Sequence, residues 1–304
     1  VKGSLPFYTL DVFSDRKFAG NPLAVVFGAD GLSDAEMAAI AREFNLSETV
    51  FVLEPRDPVN SARLRIFTPA CELPFAGHPT IGAAALIAEL RGGELLARHD
   101  VAVALEEPIG LVRCDVMKNR SGVLYAQFAS PEPPRKISGA PPAAELLASA
   151  FSIGADSIGF ARHEPSVYSA GLPLVFAPIR TRAALEAVSV EPVAFAAAMT
   201  GVSGAYLYTN ETLDGASAVY ARMFPHSLGF AEDPATGAAA AAFAGVAHEF
   251  ERPEDGDHEF FIEQGHKMGR PSRITLRMRV EGGQLSGVYV GGQTTRIGEG
   301  TLYL

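Results

Sequence analysis

The sequence predicts an α+β fold built from two copies of one unit, and three observations carry that prediction. The chain has 304 residues, more than a single hydrophobic core usually serves, so two domains are expected. Strand-like and helix-like segments are mixed without the strict alternation of a doubly wound parallel sheet. Finally, "FAGHPTIGAAA" from Phe75 matches "FAEDPATGAAA" from Phe230 at seven of eleven positions, 155 residues further on.

The elements follow in order. "FYTLDVF" alternates as a strand does, and Gly20-Asn21-Pro22 supplies a turn before the β-branched run "PLAVVF". "LSDAEMAAIAREFN" reads as a helix: Ser33 and Glu36 form a capping box, and Met37, Ile40 and Phe44 share one face. "ETVFVLE" and "ARLRIFT" read as strands, the second alternating Leu64 and Ile66 against Arg63 and Arg65. "HPTIGAAALIAEL" is predicted as a helix with Pro79 at its first position.

Strands are expected at "DVAVALE", "GLVRCDVM" and "VLYAQFA", after which "SPEPPRKISGAPP" breaks all periodicity and reads as a linker. The second half has a strand at "LPLVFAPI", helices near residues 182–199, strands at "GAYLYT" and "SAVYARMF", and an alanine helix after Pro234. It closes with strands at "RITLRMRV", "LSGVYVGG" and "GTLYL". The predicted lobes are residues 1–130, joined by the closing strand near 290–304, and residues 131–289.

Composition fits a globular protein, with 48% hydrophobic and 20% charged residues, which sets disordered, collagen-like and disulfide-scaffold classes aside. The 35 acidic residues against 25 basic give a net charge of −10, so no nucleic-acid or membrane partner is expected. Cys71 and Cys114 make neither a disulfide framework nor a zinc pattern, and His248, His258 and His266 read as surface histidines, so no metal is expected. No GxGxxG motif follows a strand and no P-loop is present, leaving no nucleotide-cofactor signal. The opening residues do not resemble a signal segment, and the longest apolar run, near Ala238–Ala247, is short of the ~20 residues that span a bilayer, so a cytoplasmic, soluble protein is expected.

A second match, "AGNPLAV" from Ala19 with "AGLPLVF" from Ala170, reinforces the repeat. The repeat makes His78 and Asp233 equivalent, each immediately before a proline that opens a helix, which is the N-cap position. Small residues all round these helices predict that each is buried in its own half and wrapped by strands. Helix N-termini attract anions, and two of them related by pseudo-symmetry would converge on a cleft suited to a small carboxylate.

Asp233 is a preferred cap without any further role, whereas His78 is a poor one, and at a helix N-terminus a neutral imidazole is the consistent form. Glu48, in "NLSETVFV", is flanked by Leu46 and Val50 to Val52, and desolvation there raises a carboxyl toward the range useful for proton transfer. On the residues alone a solvated loop glutamate is the favoured reading of Glu48.

"FAGNPLAVV", "NLSETVFV", "FTPACELPFAGHPTIGAA" and "EDPATGAAAAA", with "EQGHKMGRPSRI" near Glu263, resemble the PhzF-like phenazine-biosynthesis isomerase family along nearly the whole chain. The resemblance implies a diaminopimelate-epimerase-like fold: two pseudo-symmetric lobes, each a curved, mostly antiparallel sheet or barrel around a central α-helix. It implies cofactor-free proton chemistry on a ring such as dihydro-hydroxyanthranilate, with Glu48 as the proton carrier and His78 and Asp233 assisting transfer or holding substrate.

The same resemblance gives Gly77 and Gly237 as backbone donors to a substrate carboxylate, with Asn21, Ser47 and Ala238 among the substrate-binding positions. Ala238 departs from the phenazine pattern, which carries a serine there. The related epimerases use two cysteines; here the corresponding positions hold Gly77-His78 and Glu232-Asp233. The expected function is a cofactor-independent isomerase moving a proton on a small carboxylated metabolite, with a second copy of the chain, in a homodimer, as the expected protein partner. An epimerase or racemase without catalytic cysteines and a non-catalytic metabolite-binding protein are the alternatives.

Overall fold

Apolar runs flanked by turn residues lay down strands through both halves of the chain, and a computed structural model shows where each one pairs. It describes residues 3–119, 121–226 and 230–304. The chain divides into two units, Val1–Pro131 with Gly291–Leu304, and Glu132–Val290.

The first unit contains β1 (Ser4–Val12), β2 (Asn21–Phe27), α1 (Asp34–Phe44), β3 (Glu48–Leu53), β4 (Ala62–Phe67), β5 (Glu72–Leu73), α2 (Gly77–Leu96), β6 (Val101–Glu107), β7 (Gly110–Lys118) and β8 (Leu124–Ala129). The second contains β9 (Arg135–Lys136), α3 (Ala144–Phe151), β10 (Ser166–Ser169), β11 (Pro173–Pro178), α4 (Arg182–Ala187), α5 (Pro192–Ala198), β12 (Gly204–Thr209), β13 (Val219–Pro225), α6 (Gly237–Glu251), β14 (Gly256–Gln264) and β15 (Ser272–Glu281). The last strand, β16 (Gln284–Tyr303), begins in the second unit and ends in the first.

In the first unit the strands run β1-β2-β3-β4-β6-β7-β8-β16, and β16 pairs back onto β1 to close an eight-stranded ring. The pairings of β1–β2, β3–β4 and β6–β7 are antiparallel, and those of β2–β3 and β4–β6 are parallel. In the second unit β10–β11, β12–β13 and β14–β15 are antiparallel, while β11–β12 and β13–β14 are parallel. The result is a mixed α/β fold.

The first twelve residues of α2, Gly77 to Ala88, are all buried, and the helix packs against β1, β2, β3, β6, β7 and β8. Its low side-chain volume permits this: a Cβ on Gly82 would sit 2.5 Å from Leu23 and 2.8 Å from Val12. On the other side of β2 and β3, Val26, Phe51 and Leu53 pack against Met37 and Ala41 of α1. Strands covered on both faces lose their alternation, which is why every residue of β3 is buried. The α1 capping box forms as predicted, with Ser33 N–H donating to Glu36 Oε2 at 2.8 Å.

The second unit repeats this economy. α6 buries Gly237 and Ala239 through Ala247 and packs on β9, β10, β11 and β15. Val175, Ala177, Ala205 and Leu207 instead join Leu147, Phe151, Leu185 and Phe195 of α3, α4 and α5 in a separate core. Among the described residues no helix is long and apolar enough to cross a membrane, and no group of three or more metal-ligating side chains is present. Both cysteines are free.

Several local readings require correction. Neither His78 nor Asp233 is an N-cap: α2 starts at Gly77 after Ala76, which makes His78 its second residue, and α6 starts at Gly237 after Thr236. In the repeat frame Gly237 corresponds to Gly82, so the segment that is helical in one unit is extended in the other. The extension has a cause, because Asp233 N–H donates to Met223 O at 3.0 Å and holds the chain beside β13. The two predicted closing strands are one, β16. The proline-rich segment contributes β9, and α3, β5, β10 and β14 have no counterpart in the sequence reading. In β14 the pattern is obscured by solvent-side charges that pair across to β15, Glu259 with Arg277 and Asp257 with Arg279, each at 2.6 Å.

Gly82→Ala should destabilise the protein by about 1–3 kcal/mol through overpacking, outweighing a helix-propensity gain of up to ~1 kcal/mol. Gly93→Ala, where a Cβ meets nothing within 4 Å, should be neutral or slightly stabilising, both variants being compared with the wild type by urea titration.

Candidate active site

Parallel neighbours begin at the same end of a sheet, so Asn21, first in β2, and Glu48, first in β3, lie on a common edge. The buried start of α2 brings His78 there. Its Nε2 stands 3.4 Å from Glu48 Oε2, and its Nδ1 is 3.2 Å from Asn21 Nδ2. Asn21, Glu48 and His78 are 0%, 7% and 3% exposed, so all three are shielded from bulk water.

The loop before Asn21 is built for this placement. Phe18 N–H donates to Asp11 Oδ2 at 2.6 Å, and Gly20 takes φ +68° where a side chain would collide with Val12.

The hydrogen bonding sets the imidazole tautomer. An amide nitrogen only donates, so Nδ1 accepts from Asn21 and the ring proton resides on Nε2, facing the Glu48 carboxylate. Burial pushes the His78 pKa down to about 3, so the ring is neutral. Gly77 is buried as the first residue of α2, no side chain caps that helix, and Ser47 is half-buried beside Glu48.

In the second unit Asp233, 7% exposed, receives the Thr236 hydroxyl on Oδ2 at 2.5 Å. Gln264, the last residue of β14, is fully buried and organises this segment. Its Nε2 donates to Asp233 O at 2.7 Å and to Thr236 Oγ1 at 3.0 Å. Its Oε1 accepts from Thr236 N–H at 3.2 Å and from Tyr206 at 3.3 Å. The next residue, Gly265, has φ +76°, and a Cβ there would lie 2.6 Å from Pro234 O.

Glu232 has a different role. Arg222 grips it with two bonds of 2.8 and 2.9 Å and donates its remaining nitrogen to Leu185 O and Val188 O. Gly237 is buried and Ala238 half-buried at the start of α6, which also has no side-chain cap.

The structure thus joins Asn21, Glu48 and His78 in one cluster and sets Asp233, Gly237 and Ala238 on another segment. Gln264 was missed by sequence reasoning, although it lies inside the quoted "EQGHKMGRPSRI". His248 and His258 bond the carbonyls of Gly283 and Glu254 and do not converge with His266 on a common centre.

A family model described as phenazine biosynthesis-like protein, PhzC-PhzF, matches residues 10–300. An uncharacterized isomerase of Mesorhizobium japonicum is 42% identical over 97% of both chains. The trans-2,3-dihydro-3-hydroxyanthranilate isomerase of Pseudomonas aeruginosa is 35% identical over 98% of this chain and 99% of its own. The crystal structure of a PhzF-family phenazine biosynthesis protein from Bacillus anthracis superposes with a TM-score of 0.86 at 23% identity, covering 99% of each chain, and shares the fold.

Two outcomes follow from this geometry. The folded protein keeps His78 unprotonated down to about pH 3, whereas the unfolded chain binds that proton near 6.5. Stability is therefore present above pH 6.5 and is lost as pH falls toward 3; His78→Asn should show a smaller loss between pH 7 and 4.5 in urea titrations. Gln264→Ala, which strands several buried polar groups, should cost about 1–3 kcal/mol in the same measurement.

Proposed function

This chain belongs to the PhzC-PhzF family of phenazine biosynthesis-like proteins and is an isomerase, and from that premise we propose that it moves a proton on a small carboxylated, cyclic metabolite without a cofactor. The observation that carries the reading is the buried Glu48–His78 contact of 3.4 Å at the start of α2. A carboxylate and a neutral imidazole N–H facing each other out of water form a proton-handling pair.

In the proposed cycle the Glu48 carboxylate takes a proton from a ring carbon. The electron pair of the broken C–H bond moves into the neighbouring π system, and Glu48, now protonated, returns the proton to a different carbon. Redox state and composition are unchanged, so no cofactor enters the balance. His78 faces Glu48 with its Nε2–H, and Asn21 keeps the ring in that tautomer. Gly77 N–H binds the substrate carboxylate, assisted by the positive end of α2, with Ser47 at the same edge.

Asp233, Gly237 and Ala238 are assigned to the same reaction, Asp233 in holding the substrate or assisting transfer and Gly237 as a backbone donor. Within the second unit Thr236 donates to the Asp233 carboxylate, and Gln264 in turn donates to Thr236 Oγ1 and to the Asp233 backbone carbonyl, which supports a fixed orientation for that side chain. Ala238 in place of a hydroxyl side chain points to a substrate related to dihydro-hydroxyanthranilate rather than necessarily that compound. The two units are read as copies of one lobe around a helix; their common order of antiparallel and parallel pairings supports this.

The test is solvent isotope exchange. Incubated in deuterated water with trans-2,3-dihydro-3-hydroxyanthranilate and a panel of small cyclic carboxylic acids, the wild type should incorporate deuterium into at least one ring position. Glu48→Gln should lower that rate by about 10²–10⁴-fold, and equal incorporation by both proteins would remove Glu48 from the mechanism.

A further inference from the structure

Glu107 ends β6 as a buried carboxyl, 7% exposed, and the mechanism above does not use it. It touches α2 through Thr80, whose hydroxyl oxygen lies 2.8 Å from Glu107 Oε1 and 2.8 Å from Ala76 O. A hydroxyl has one hydrogen to donate. If Glu107 were ionised it could only accept, and one of those two oxygen–oxygen contacts would be left without a proton between its atoms. A proton on Glu107 satisfies both: Glu107 donates to Thr80 Oγ1, and Thr80 donates to Ala76 O.

Other observations agree. Glu107 Oε2 is buried without a hydrogen-bond partner, which is tolerable for a neutral acid and costly for a carboxylate. No ion pair reaches Glu107 among the described residues. The charged groups lining the surface pocket beside it are Asp34, Arg56, Arg63, Arg65 and Glu106. Arg65 is held by Asp34 and Glu72, Arg63 approaches Asp30 at 3.8 Å, and Glu106 accepts from Asn60 and from the N–H groups of Arg56 and Asp57. From β7 the nearby titratable group is the buried Cys114 thiol, itself pushed up by burial and then by the charges of Glu107 and Asp115. Burial pushes the pKa of Glu107 up to about 8.

The carbonyl of Ala76 and the N–H of Gly77 belong to one planar peptide. We propose that Glu107 is a positioning residue that, in its protonated form, commits the Thr80 hydroxyl to Ala76 O and thereby aims the Gly77 N–H that receives the substrate carboxylate. The proton on Glu107 stands on the local geometry; its part in the reaction rests on the function proposed above. When Glu107 ionises, the Thr80 proton turns to the new charge, Ala76 O keeps only the 3.2 Å bond from Thr80 N–H, and the peptide is freed.

The experiment follows the Ala76 carbonyl carbon and the Gly77 amide by nuclear magnetic resonance from pH 6 to 9.5 in the full-length protein. In the wild type both resonances should move with one midpoint near 8, and in Glu107→Gln, which retains a donor toward Thr80, both should stay in place. Resonances that do not move in the wild type, or that move alike in Glu107→Gln, would overturn the proposal. If Glu107→Gln does not fold, Thr80→Val and Cys114→Ala decide: the titration should vanish in the first and persist in the second, and the reverse result would assign it to the thiol.

In deuterium exchange, kcat/KM should fall toward about tenfold per pH unit above the midpoint in the wild type, chiefly through KM, and Glu107→Gln should lack that fall. The folded acid keeps its proton to about pH 8 and the unfolded one loses it near 4.5. Its stabilising contribution is therefore complete below 4.5 and lost as pH rises to about 8, and Glu107→Gln should flatten that decline in urea titrations. Should Glu48→Gln exchange as fast as the wild type, the functional reading fails while the resonance titration still decides the proton on Glu107.

Discussion

Everything in the first unit depends on burying α2 along its first twelve residues. A helix reaches six strands at once only if its surface is nearly bare, and Gly82 with the alanines after it meets that condition against Leu23 and Val12. Burial in turn strips water from the first turn, where no side chain caps the backbone. An uncapped and dry helix start is costly unless something else satisfies it, and this is the setting in which His78, Glu48 and Asn21 meet. The same small residues that let the helix fit thus create the polar need at its end.

Electrostatics sharpens that setting. A histidine in this place is forced neutral by burial, and Asn21 determines which nitrogen bears its proton. Burial and one residue remote in sequence, Asn21, therefore set the form of the imidazole that faces Glu48. The second unit uses a different device: the side-chain amide of Gln264 holds Asp233 and Thr236 from one side. α6 starts at Gly237 after Thr236, so Asp233 is not its cap.

Much of the fold was legible because its patterns are local. The capping box of α1, the alternation in β4 and the alanine runs of α2 and α6 each depend on neighbours within a few residues. The repeat marked the two helices, yet it could not reveal that they start five positions apart in its frame, since that depends on the pairing of Asp233 with Met223 across the chain. β14 stayed hidden because its solvent-side charges find partners only on β15. Glu48 was a solvated-loop residue by its immediate surroundings and required the family resemblance to stand out. Gln264 and Glu107 gave no such sign: a buried amide or acid looks like a surface residue until the groups that enclose it are known.

The ring of the first unit is closed by β16, whose partner β1 lies almost three hundred positions earlier, with Ser4 opposite Tyr303. In time rather than space, β1 must wait as an open edge while the whole second unit is synthesised. Until then its unpaired peptide groups are a template for wrong pairing, and the long loop that must close makes the final step slow. A delay in making or releasing the last strand would leave the ring open along β1.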